Sequence, residues 1–233
     1  MKLSVMQPYF FPYIGYFHLI ESTDKIIFYD DVSFIKRGWV NRNNILINAQ
    51  DYLFTVPLEK PSQNKLINEI PVLNDEKFKN TFFKQIQNAY QKAPFFKEVN
   101  EILQYVFSND YNNIADMAIA SICSVYQYLD KELNWDKSSV FSPETRGMEK
   151  ADRLIQLSKK SGCDHYINLK GGMELYDKSY FEKEGITLNF TESILKEYTQ
   201  FNKNFVPWLS IIDVLMFCEK EEVLDQFKSY QLI

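Results

Sequence analysis

Two aspartates, Asp30 and Asp31, close a short apolar run near the start of the chain. A dense polar set follows within a few residues: Lys36, Arg37, Trp39, Asn41, Arg42 and Asn43. Carboxylates in that position can orient an amine or hydroxyl, act as a general base, or hold Mg²⁺ through waters. Arginine offers forked donors for phosphate or carboxylate, asparagine offers both donor and acceptor, and tryptophan offers a stacking face. Such a set suits an anionic, hydroxyl-rich molecule, a class that includes nucleotides and nucleotide sugars. The competing readings are a pair of solvated turn aspartates and a solvated basic loop.

Upstream stands Gln7-Pro8-Tyr9-Phe10-Phe11-Pro12-Tyr13-Ile14-Gly15-Tyr16. Pro8 and Pro12 each fix their own φ and restrict the preceding residue, so this stretch is an extended turn. Gly15 permits a close approach to its backbone. Gln7, Tyr9, Tyr13, Gly15 and Tyr16 are therefore candidate ligand contacts. Core packing is the alternative for any single aromatic in the run. Further along, Lys170-Gly171-Gly172 and Glu174 mark a strand-to-helix turn where exposed amides could meet an anion. Arg146–Lys150 marks another helix start.

The elements that position these residues follow from periodicity. Lys2–Met6 and Lys25–Asp30 read as strands joined by a helix near Tyr13–Ser22. If they are parallel neighbours with a right-handed crossover, their C-terminal ends share one sheet edge, where open α/β sheets bind ligands. Gln7, the aromatic turn and Asp30–Asp31 then converge. The two aspartates face opposite sides if the strand continues, so only one meets a ligand. Ile45–Asn48 and Tyr52–Pro57 read as a hairpin, and Leu66–Val72 as a further strand. Phe78, Phe82, Ile86 and Tyr90 form a helical stripe after Asp75, and Phe95–Phe107 and Asn112–Leu129 continue as helices. Leu133–Phe141 reads as a strand, Arg146–Ser161 as a helix, and His165–Leu169 as a strand. Gly171–Glu184 is then helical, Ile186–Phe190 a strand, and Ser210–Phe217 and Glu221–Lys228 helices. Ser210 with Asp213 reads as a capping box. Strand–helix alternation at both ends predicts an α/β fold with a mostly parallel sheet and a hairpin and helical insertion.

Composition narrows the function. A net charge of −5 over 233 residues argues against a nucleic-acid surface. No apolar run is long enough to span a membrane, and no signal peptide is recognisable, so the expected location is the cytoplasm. Cys123, Cys163 and Cys218 are widely spaced, as suits a reducing compartment. With only His18 and His165, no His-rich metal site is expected. Walker, GxGxxG, nucleophile-elbow and HExxH motifs are absent from the sequence.

The residues from Met6 to Tyr16, Tyr29–Val32 and Ile35–Asn43 closely resemble the WbqC-like family. The likeness continues through Asn64–Ile70, Lys92–Pro94, Gly171–Tyr176 and Leu209–Leu215. It implies one WbqC-like domain over 1–233: an N-terminal βαβ unit at 1–44, the insertion at 45–130 and a C-terminal α/β part at 131–233. It also implies a role in bacterial O-antigen or other surface-polysaccharide synthesis, with an amino acid or amine attached to a sugar. On that reading Lys36, Arg37 and Arg42 hold phosphates or a carboxylate, Trp39 or Tyr9 stacks, and Asp30 or Asp31 orients the nucleophile. An adenylate-forming version would use ATP with Mg²⁺; a nucleotide-sugar or glycan-precursor binding protein would do no chemistry. A more distant likeness is to HIGH-motif nucleotidylyltransferases and pantothenate synthetase-type ligases, which implies a nucleotidylyltransferase-like, Rossmann-like sheet. Their His-x-Gly-His quartet falls here on Tyr13-Ile14-Gly15-Tyr16. Tyrosine hydrogen-bonds a phosphate but supplies no cation to a transition state.

Overall fold

The computed structural model describes residues 1–201 and 204–233. In chain order its elements are β1 (Lys2–Met6), α1 (Ile14–Glu21), β2 (Lys25–Phe28), β3 (Arg42–Ile47) and β4 (Gln50–Thr55). Three longer helices follow: α2 (Glu76–Tyr90), α3 (Phe96–Ser108) and α4 (Ile114–Tyr128). Next come β5 (Trp135–Lys137), α5 (Ser138–Phe141), α6 (Lys150–Lys160), β6 (His165–Leu169), α7 (Lys178–Lys183) and β7 (Thr187–Ser193). The chain closes with α8 (Ile211–Phe217), α9 (Lys220–Phe227) and β8 (Tyr230–Leu232).

The fold is mixed α/β. Its main sheet has the order β5-β2-β1-β6-β7-β8, parallel except for β8. β1 and β2 are adjacent and parallel as expected, with Leu3 opposite Lys25 and Met6 opposite Phe28. Alternation along these strands sends Leu3, Val5 and Ile27 to one face and Ile26 and Phe28 to the other. The first face packs on α6 and α7 through Leu154, Leu157 and Phe181. The second carries the larger core, with Phe17, Tyr126 and Phe227 stacked on α1, α4 and α9. Each such buried side chain contributes about 1.5–3 kcal/mol, so both faces must stay covered and the parallel strands are locked in register.

The hairpin β3–β4 forms a separate antiparallel pair turning at Asn48-Ala49, both at positive φ. Helix α2 starts where Asp75 accepts a bond from the Phe78 amide at 2.9 Å, and buries the Phe82–Ile86–Tyr90 stripe.

Four expectations need correction. Leu66–Val72 is no strand: Ile67–Glu69 is a 3-10 turn, fixed by the Leu66 amide donating to Glu69 Oε2 at 2.9 Å. Its apolar residues bury from a turn, with single bridges at Leu66 and Val72. Only Trp135–Lys137 of Leu133–Phe141 is strand, because Ser138 and Ser139 turn the chain into α5 to bond Asp30. The helix expected from Arg146 begins at Lys150, after Gly147 at φ +85. The helix expected over Gly171–Glu184 is broken into a 3-10 segment (Lys170–Leu175) and α7.

Candidate functional site

At the C-terminal edge of the sheet the chain leaves β1 toward β2 on one side, while β6 lies on the other. That reversal is the place where parallel α/β sheets leave a crevice. A cleft of about 360 Å³ opens beside it, at the C-terminal ends of β6 and β7, lined by Tyr13, Leu169, Lys170, Gly171, Thr191, Glu192, Ser193 and Trp208. Ligand pockets span roughly 300–1,000 Å³, so a sugar-sized group fits. A wider hollow of about 650 Å³ lies between the hairpin tip and α2, but no charged side chain among the described residues lines it. The cleft at the strand ends has both the position and the charges.

Its walls are aromatic. Tyr13, the residue before α1, sets its ring edge-on to Trp208, with centroids 6.0 Å apart. Gly15 makes room for that ring: a Cβ there would lie 2.3 Å from Tyr13 Cε2 and 2.9 Å from Ser193 Oγ. Trp208 is 47% exposed at φ +60, a conformation costly for a bulky residue. Bonds just downstream hold it there, from the Ser210 amide to Asn44 O and from Ser210 Oγ to Phe11 O. Burial raises the Tyr13 hydroxyl pKa, so it stays a neutral donor.

The floor is ionic. Lys170 Nζ pairs with Glu192 Oε1, and Gln231 Nε2 donates to the other carboxylate oxygen at 2.6 Å. The Lys170 ammonium and then the Gln231 amide hold the Glu192 carboxyl below its ordinary pKa. Gly171 has open space where a side chain would stand, whereas Gly172 is packed against Asn168. Glu174 is exposed on the segment that follows.

Asp30 and Asp31 lie elsewhere on the same edge and are buried. The strand stops at Phe28, so the expected divergence of the two side chains fails and both meet Ser138 Oγ, at 3.0 and 2.5 Å. Asp30 also accepts from the Ser139 amide at 2.9 Å, Ser139 Oγ at 2.5 Å and Asn68 Nδ2 at 3.1 Å. Asp31 takes Arg153 Nη2 at 2.6 Å, and that guanidinium also sits 4.7 Å from the Tyr29 ring centroid. Every carboxylate oxygen of the pair is occupied, an arrangement that anchors β2, β5 and α6 to one another.

The aromatic turn resolves both ways. Phe10, Phe11 and Tyr16 are core, and Tyr16 donates to Gln7 O at 2.8 Å. Tyr9 is half-buried with its ring 5.5 Å from Tyr16, while Tyr13 alone of the turn lines the cleft. Of the polar loop, Asn43 is buried and bonds Phe11 O at 2.7 Å; Asn41 bonds Val56 O at 2.7 Å. Arg42 bonds the carbonyls of Gly38 and Arg37. Lys36, Arg37 and Trp39 are exposed and are not among the residues that line the cleft. Asp213 does not cap α8. Ser210 does, and Asp213 is buried beneath Tyr90, Tyr198 and Gln200, which donate at 2.8, 2.6 and 2.7 Å. Sequence reasoning missed Thr191, Glu192, Ser193 and Trp208; the strand end at Ser193 and the lone tryptophan after Pro207 were the available signals.

A mostly parallel α/β sheet with a cleft at its C-terminal edge defines the class. The chain belongs to the WbqC-like protein family, which matches residues 7–225. It is 24% identical over 221 residues to the uncharacterized protein Rv1507c of Mycobacterium tuberculosis, covering 92% of each chain. No solved structure matches it significantly. Among the described residues no helix is long and apolar enough to cross a membrane, and no cluster of His, Cys, Asp and Glu could hold a metal ion.

Proposed function

We propose that this chain is a group transferase that forms an amide or acyl bond on a sugar or nucleotide sugar during bacterial surface-polysaccharide (O-antigen) synthesis. The observation that carries it is the cleft between Tyr13 and Trp208 over the Lys170–Glu192 pair. Aromatic walls take the apolar face of a pyranose, and a carboxylate beside an ammonium takes its hydroxyl, amine or anionic substituents. In this reading Trp208 and Tyr13 position the sugar, and Glu192 orients the amine or hydroxyl that attacks. Asp30 and Asp31 hold the neighbouring strand ends rather than acting as a free base.

The finer architecture belongs to the same proposal. Residues 1–233 act as one unit, and β1–α1–β2 is the nucleotidylyltransferase-like start. At the quartet positions Tyr13 faces the cleft and Tyr16 is turned into the core, so neither brings a cation to a phosphate. If ATP is used, Lys170 and the Gly171 backbone are the groups beside which its phosphates would lie. A second reading, a nucleotide-sugar binding protein without chemistry, draws on the fact that no oxygen of Asp30 or Asp31 is free.

Thermal-shift screening against nucleotides and nucleotide sugars tests the proposal. A ligand at a hundred times its Kd stabilises by about 2.7 kcal/mol, a readily visible rise in Tm. Incubation of the best binder with amine and acyl donors, followed by mass spectrometry, then separates enzyme from binder. The transferase reading requires a mass increment on the sugar. Tight binding with no product under any donor and ATP combination supports the binding-protein reading.

A further inference from the structure

The segment 33–65 runs against the charge of the whole protein. It carries five cations, Lys36, Arg37, Arg42, Lys60 and Lys65, and two carboxylates, Asp51 and Glu59, within a chain of net charge −5. None of the five cations forms an ion pair among the described residues. At its tip is a tight turn in which the Gly38 amide donates to Ile35 O at 3.0 Å. Arg37 occupies the third position at φ +62, where glycine or asparagine is the usual choice. Glycine suits the next position, Gly38, because a Cβ there would press on Ile35 O at 3.0 Å.

Other bonds fix this turn. Arg42 reaches back from β3, bonding the carbonyls of Gly38 and Arg37 and setting its guanidinium 5.5 Å from the Trp39 ring centroid. The Phe34 amide bonds Lys65 O at 2.9 Å, and the Phe10 amide bonds Val40 O at 3.1 Å, so both ends are tied down. The result is costly in water. Ile35 is 51% and Trp39 43% exposed, with Lys36 and Arg37 exposed between them. A backbone held in an uncommon conformation to present two large apolar groups and two cations outward is a device for a surface.

We propose that this loop docks the protein on an anionic lipid bilayer. Ile35 and Trp39 enter the headgroup–acyl boundary while Lys36 and Arg37 meet lipid phosphates, with Lys65 alongside. Charge complementarity chooses this occupant: a local cationic excess on an acidic protein turns one face toward a negative surface and the rest away from it. A small anion would use the cations but would leave the exposed Ile35 and Trp39 in water. The contact is peripheral and reversible.

Sedimentation of the full chain with vesicles of phosphatidylcholine, alone or mixed with phosphatidylglycerol, tests the inference. Binding is expected only to the mixed vesicles, to fall as salt is raised, and to drop about fivefold for each cation removed in Lys36→Gln and Arg37→Gln. Trp39→Ser should weaken it with Tm unchanged, and brominated lipid should quench Trp39 fluorescence in a Trp135→Phe/Trp208→Phe background. Equal binding to both vesicle types overturns the inference, as does undiminished binding by Trp39→Ser and by the charge-removed variants together. Titration of each variant with uridine diphosphate is the second arm. Loss of nucleotide affinity in Arg37→Gln, with vesicle binding intact, makes the loop a nucleotide site instead and equally overturns it. The vesicle assay does not involve the cleft, so its outcome leaves the transferase proposal to its own test.

Discussion

The sheet has two polar clusters on one edge, and they have opposite characters. Around Asp30 and Asp31, every carboxylate oxygen has found a donor from Ser138, Ser139, Asn68 or Arg153, and water is excluded. Around Lys170 and Glu192, the groups are solvated, the walls are aromatic and there is room for a guest. Both clusters follow strand ends, as the geometry of a parallel sheet requires. A set of catalytic-looking residue types is therefore no guide to a site until its hydrogen bonds are counted. The satisfied cluster stiffens the edge, and the open one can exchange its partners for a ligand's.

Breaking the closed cluster should give the largest effect. Arg153 and Asp31 form an ion pair with each side chain 3% exposed. Arg153→Leu strands a buried carboxylate and should cost about 3–5 kcal/mol in urea unfolding. Lys170→Ala, at the exposed pair, should change stability by no more than about 0.5 kcal/mol. Equal losses at the two positions would erase the distinction.

A smaller effect is expected at Gly15. An alanine Cβ would collide with the Tyr13 ring, a flexible group that can swing toward Trp208. Gly15→Ala should alter stability by about 1 kcal/mol, yet lower affinity for a cleft ligand about tenfold, or ~1.4 kcal/mol. Calorimetry and urea titration of the same preparation check both halves. Unchanged affinity would remove Tyr13 from the binding wall.

The smallest effect is a pH dependence that belongs to neither cluster. His18, on the buried side of α1, donates from Nε2 to Gln226 O at 2.9 Å and leaves Nδ1 without a partner among the described residues. Burial lowers its pKa, outweighing the Gln226 bond. Its contribution is fully present above the unfolded value near 6.5 and is lost as pH falls through the depressed folded value, by at most about 1.4 kcal/mol per pH unit. Asp213 acts in the opposite sense. Burial raises its pKa, so its contribution is present below 3.8 and declines as pH rises through the folded value. His18→Gln should flatten the fall in stability between pH 6.5 and 5; an unaltered slope would show that His18 does not carry it.

Much of the frame was legible because it is local. Lys2–Met6 alternates in sequence and Ile26–Phe28 is a short apolar run, α2 has its stripe and cap, and the first crossover follows from chain handedness. Errors arose where a side chain from far away decided the backbone. Ser138 and Ser139 leave the strand for Asp30, over a hundred residues upstream. The Leu66–Glu69 turn is the exception: a bond spanning three residues closes it, where periodicity reads a strand. Asp213 has the spacing of a cap, but Tyr90 and Tyr198 take it into the core. The candidate site was legible in part. Tyr13, Gly15 and Gly171 were visible as turn residues at strand ends. Glu192 and Trp208 were not, because only the folded sheet and the Ser210–Phe11 bond bring them beside Tyr13.

The central claim is that the open cleft, and not the buried aspartate cluster, binds the substrate. The direct test is the calorimetric affinity of Trp208→Ala and Ser139→Ala for the nucleotide sugar that gives the largest thermal shift. Trp208→Ala should lose affinity by at least about tenfold, or ~1.4 kcal/mol, while Ser139→Ala, which removes one bond to Asp30, should bind as the parent does. Full affinity in Trp208→Ala together with loss in Ser139→Ala would contradict the account and return the site to Asp30 and Asp31.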